Sequence, residues 1–183
     1  MLIAQQRQQT NIAEYIIYMY QIEDLIRACD LDVERIIESV VRPQLPDDSF
    51  IGQYRTWYED FVRQMKMQGI QKAGHLNDLT EILVELSYLH TTLLTMTNDE
   101  KYRGVYEQAT KFLDEFKEKS NLKDKNHVEI AFHAMYMKLL LKLQKKEISP
   151  ESEEAFDSMR VMLAYLSRAY HQMKSGNLDF LKN

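Results

Sequence analysis

The sequence predicts an all-α fold, a single-domain bundle of about six or seven helices. Two observations carry that expectation. Gly 5 and Pro 3 in 183 residues are too few for the turns a sheet of that size needs. Apolar residues recur in steps of three and four through nearly every segment, the period of a helix face.

The first helix spans about residues 3 to 29, with Ile12, Tyr15, Ile16, Met19, Ile22 and Ile26 on its apolar arc. A second, about 32 to 42, stops before Pro43, because proline drives its predecessor out of helical geometry. Asp47, Asp48 and Ser49 offer caps for a third along Phe50, Tyr54, Trp57, Phe61 and Met65, ended by Gly69 and Gly74. The fourth, about 75 to 96, follows Leu79, Ile82, Leu83, Leu86, Leu89 and Leu93. Asn98 caps the fifth, which follows Tyr102, Val105, Tyr106, Phe112 and Phe116. The charged stretch KEKSNLKDKN, 117 to 126, reads as a long exposed connection. Helix six, about 127 to 146, is apolar over most of its circumference and requires neighbours on several sides. The last opens with ISPESEEAF, where Ser149 caps, Pro150 takes the first helical position, and Glu151 and Glu153 meet the positive helix end. Its seam, Phe156, Met159, Leu163, Leu166, Tyr170 and Met173, has bundle spacing.

Composition narrows the function classes. A net charge of −5 disfavours nucleic acid and anionic membrane surfaces as partners. Cys29 is the only cysteine, which removes an intramolecular disulfide and fits a reducing compartment. No apolar run reaches the ~18 residues of a membrane span, and MLIAQQRQQTN has no signal-peptide core, so a cytoplasmic location is expected. No Gly-rich phosphate loop and no GxSxG occurs. The lysines at 138, 142, 145 and 146 form a positive stripe that reads as a solvated face.

Candidate chemistry rests on polar residues that the apolar faces do not explain. At ~100° per residue, Glu23 falls between Ile12 and Ile16, with Arg27 one turn later. His90 falls between Leu79 and Leu83, and Glu129 between Tyr136 and Leu140, with His133 one turn on. Together Glu23, Arg27, His90, Glu129 and His133 form a candidate buried polar network. A bundle can also hold a metal on such groups, but no Glu-x-x-His is present, and no cofactor or metal ligand is assigned. Structural roles compete: Glu23 and Arg27 make a helical i,i+4 pair, and Glu129 completes a capping box with Asn126. Tyr 11 and Met 10, crowded at Tyr15, Tyr18 and Tyr20 and at Tyr54, Trp57 and Tyr58, suit an interface or an adaptable pocket.

The stretches NIAEYIIYMYQIEDLIRACDLD, GHLNDLTEILVELSYLH and LLLKLQKKEISPE resemble an uncharacterised bacterial, all-helical family catalogued only as a domain of unknown function. The resemblance covers nearly the whole chain and implies no activity, cofactor or site residue. Three readings follow: a non-catalytic interaction or scaffold protein, with a homodimer as one form; a small-ligand or sensor bundle with a Glu, His and Tyr pocket; and a carboxylate and histidine metalloprotein.

Overall fold

The computed structural model describes residues 2–176, and these are helical with no strand among them. Eight α-helices follow in order: α1 (Leu2–Thr10), α2 (Ile12–Ala28), α3 (Val33–Ile36), α4 (Ile51–Met67), α5 (Asn77–Thr95), α6 (Glu100–Lys119), α7 (His127–Leu143) and α8 (Pro150–Lys174). A π turn, Ile37–Val41, and two 3₁₀ turns, Arg42–Gln44 and Asp48–Phe50, lie between α3 and α4. No helix is long and apolar enough to cross a membrane among the described residues.

Four departures from the expected elements have local causes. The first helix is two, because Asn11 is extended and its side chain accepts the Glu14 N–H, which serves as a new N-cap. Pro43 does not end its helix before it but re-spaces it. Arg42 N–H bonds back to Ile37, one residue further than in an α-helix, and Pro43 then sits in a 3₁₀ turn. Asp99, rather than Asn98, caps α6 by accepting Tyr102 N–H at 2.9 Å; Asn98 takes a left-handed φ of 51° in the turn before it. Helix α6 also continues through Lys117 and Lys119, whose charges suit a helix C-terminus, so the connection to α7 is only residues 120 to 126.

Helix α7 is the centre of the bundle and packs against α2, α5, α6 and α8. Val128, Ile130, Ala131, Phe132 and Ala134 are all buried, so contact wraps most of its circumference as its composition demands. Even Lys138 is 9% exposed, its ammonium 2.5 Å from Glu153 of α8 and over the Phe156 ring, so it leaves the solvated lysine stripe. On α8 the seam Phe156, Met159, Leu163, Leu166 and Tyr170 is buried. The end of α8 also fastens the start of α2: Ile12 N–H donates to His171 Nε2 at 3.1 Å, and Ser167 Oγ donates to Asn11 at 2.9 Å. Helices α3 and α4 make a side layer packed on each other and on the π turn.

Phe132 is fully enclosed, so Phe132→Ala is expected to cost about 3–5 kcal/mol by loss of burial and creation of a cavity. Urea denaturation of the two proteins measures this.

Candidate functional site

Glu23 lies on the buried side of α2 with no exposed surface. A carboxylate there must be hydrogen-bonded. Its Oε1 accepts Leu76 N–H at 2.9 Å, and its Oε2 lies 2.6 Å from His75 Nδ1. Because a carboxylate only accepts, Nδ1 carries the proton, and Nε2 is the ring position left for other chemistry. Leu76 is the N-cap residue of α5, so Glu23 also places its charge at the positive end of that helix.

Arg27 does not pair with Glu23. Its Nε and Nη2 donate to the Ile70 carbonyl at 3.4 and 3.2 Å, Nη2 also donates to the Gly74 carbonyl, and Nη1 donates to Asp24 at 2.8 Å. Glu23 and Arg27, one turn apart, therefore hold the connection between α4 and α5 at two points. Gly74 has φ 97°, and a Cβ there would press on Ile70 at 3.2 Å, so glycine suits this tight turn. Asp24, which looks outward on a helical projection, accepts the Tyr136 hydroxyl at 2.6 Å and ties α2 to α7.

The tethered His75 ring stacks on Tyr20, centroids 3.8 Å apart, and stands 6.3 Å from the His133 ring. These three side chains line a half-open cleft of about 570 Å³ between α2, α5 and α7, together with Leu83, Val84, Ser87, Tyr88, Thr91, Lys125 and Glu129. Neither the Tyr20 hydroxyl nor the ring nitrogens of His133 have a hydrogen-bond partner among the described residues. No fully enclosed side-chain polar atom is left unpaired, so these atoms open onto the cleft. Burial, reinforced by the charges of Glu23 and Glu129, raises the Tyr20 hydroxyl pKa, and Tyr20 is a neutral donor. Burial lowers the His133 pKa, with His75 and Lys125 adding to the effect and Glu129 opposing it. Glu129 caps α7 through Asn126 N–H at 3.2 Å and pairs with Lys125 at 2.7 Å.

His90 belongs elsewhere. Its Nδ1 is 2.5 Å from the buried Tyr102 hydroxyl, and burial, with the nearby His127, lowers its pKa to about 4, so it stays neutral. His127 in turn contacts the Tyr106 hydroxyl at 2.8 Å and Asp114 at 3.0 Å. This second network fills the space among α5, α6 and α7. In a larger polar hollow beside Asp99, Tyr165 and Arg168, buried Asp99 accepts from Tyr102 N–H and the Tyr165 hydroxyl.

Of the five residues singled out in the sequence, Glu129 and His133 line the cleft and Glu23 stands directly behind it. Arg27 braces its rim, and His90 lies outside it. His75 and Tyr20 are the additions: His75 sits in a connection, where periodicity has nothing to say, and Tyr20 was one aromatic among several. No three His, Cys, Asp or Glu side chains converge in a metal-binding arrangement among the described residues. Cys29 is a buried free thiol.

Replacing Glu23 by alanine leaves the Leu76 amide and His75 Nδ1 without acceptors, at an expected cost of about 1–3 kcal/mol. Hydrogen exchange should show the amides of the α4–α5 connection and the first turn of α5 opening more than the rest of the chain; uniform loss of protection would contradict the tether.

From residue 1 to residue 177 the chain matches the model of a family described as Domain of unknown function (DUF4924). No curated protein and no solved structure matches it.

Proposed function

The chain belongs to the DUF4924 family, a description that names no activity, and we propose from the cleft itself a non-catalytic, cytoplasmic module that binds a small amphipathic molecule between α2, α5 and α7. The observation that carries the reading is the set of polar groups with no protein partner among the described residues, the Tyr20 hydroxyl, His75 Nε2 and the His133 ring, gathered in one cleft with Leu83, Val84 and Tyr88. A cavity of about 570 Å³ falls within the usual range for small-molecule sites, roughly 300–1,000 Å³. Two of the polar groups are held in place: His75 by buried Glu23, and Tyr20 by stacking against His75. Leu83, Val84 and Tyr88 supply apolar surface, with Val84 64% and Tyr88 67% exposed one turn apart on α5. A ligand covering both would remove apolar area from water. The free, buried thiol of Cys29 fits a reducing compartment.

Fragment screening by NMR, with the histidine ring protons as reporters, tests this. Binders should move the resonances of His75 and His133 and leave those of His90 and His127 in place, and Thr91→Trp, at an exposed lining position, should abolish the response. Hits that ignore His75 and His133, or that survive Thr91→Trp, would count against the reading.

A second reading, an interaction surface for another copy of the chain, draws on the apolar groove lined by Phe112, Phe116, Met137, Leu141, Ile148 and Met159. Met137 is 42% exposed there. Light scattering across a concentration series should then show dimers; a monomer at the highest concentration removes this reading.

A further inference from the structure

We propose that the ligand of this cleft is an amphipathic monocarboxylate, its head group on Tyr20 and His133 beside the His75 ring and its apolar body along Val84 and Tyr88, and that it enters together with a proton. The inference rests on the binding reading above and specifies its ligand class.

The donor inventory selects the head group. Tyr20 is a neutral phenol with no protein acceptor among the described residues, so it needs an acceptor from the ligand. His75 presents Nε2, while Nδ1–H is committed to Glu23 at 2.6 Å. His133 offers a second imidazole 6.3 Å away, centroid to centroid. Two groups able to donate, Tyr20 from α2 and His133 from α7, match the two oxygens of a carboxylate better than a ligand that only donates.

The charge inventory selects a single negative charge and couples it to a proton. Lys125 is the permanent cation of the cleft lining, and Glu129 already pairs with it at 2.7 Å. Helix α5 contributes no charged side chain to the lining, only Thr80, Leu83, Val84, Ser87, Tyr88 and Thr91. Glu23 faces His75 from behind, on the Nδ1 side of its ring. Positive charge for an incoming anion must therefore come from His133, the cleft imidazole with no protein partner among the described residues. Burial, His75 and Lys125 together outweigh Glu129 and lower the His133 pKa. An anion beside it reverses that balance, because an opposite charge within a few ångströms favours the charged form. Its pKa in the complex then exceeds that of the free protein, and affinity is full below the free value and falls as pH rises through the bound one.

The apolar wall excludes a bare inorganic anion as the best occupant. Val84 and Tyr88 stand exposed beside the imidazoles, and only a ligand with an apolar body covers them.

Isothermal titration of the intact protein with phenylacetate, phenylacetamide and inorganic phosphate, between about pH 5.5 and about pH 8 in buffers of different ionisation enthalpy, tests the proposal. Phenylacetate should bind with net proton uptake and weaken by up to about tenfold per pH unit over part of that range. His133→Gln, which keeps a polar side chain at a part-exposed position, should remove the proton uptake and flatten the pH dependence while the thermal transition is retained. Phenylacetamide binding as tightly as phenylacetate, or phenylacetate binding that ignores pH, would overturn the inference and leave the binding reading standing. Phosphate binding as well as phenylacetate would overturn the amphipathic part. Silence from all three probes would overturn the monocarboxylate class, while the binding reading is judged by its own fragment screen.

Discussion

A single buried carboxylate organises the part of this molecule that faces function. Glu23 has no exposed surface, and a charge so placed must be answered by donors or be lost to protonation. Both answers come from the α4–α5 connection, one from the backbone of Leu76 and one from the His75 ring. One turn along α2, Arg27 takes up carbonyls of the same connection at Ile70 and Gly74. A segment that buries little apolar surface of its own is thus positioned by polar contacts with α2. Without them the His75 ring would have no fixed place over Tyr20, and the cleft would lose one wall.

The bundle itself is held by a different kind of interaction. The enclosed side chains of α7, with the seams of α2, α5 and α8, form a continuous apolar core, and the aromatic and histidine network around His90 and Tyr102 fills polar needs inside it. The two polar systems differ in how completely they are satisfied. His90, Tyr102, Tyr106, His127 and Asp114 engage one another through paired contacts, which suits a structural role. Around His75 the pairing stops at one ring nitrogen, and the remaining groups open onto the cleft.

Most of the fold was legible in the sequence because helix faces and caps are local. Asn126 with Glu129, and Ser149 with Pro150, announce their helices within four residues, and both caps are present. Glu23 was legible for the same reason: a carboxylate inside an apolar arc contradicts the pattern around it. Its partner was not, since His75 lies 52 positions away in sequence, in a connection where no period applies. Arg27 illustrates the opposite error. The i,i+4 spacing made it the nearest cation to Glu23, yet its donors go to the Ile70 and Gly74 carbonyls and to Asp24, while Glu23 is supplied by Leu76 and His75. The break at Asn11 was missed because apolar periodicity runs past it, while a side-chain oxygen accepting a backbone N–H decides the backbone there.

The hydrogen bond from Ile12 N–H to His171 Nε2 spans 159 positions, and it joins the start of α2 to the end of α8. The Ile12 amide reaches this partner only when α8 is docked, while the Asn11 cap serves the first turn of α2 from within four residues. Closing so distant a contact carries its loop entropy before any packing offsets it. A contact of that separation is therefore expected to close late in folding, together with the docking of α8.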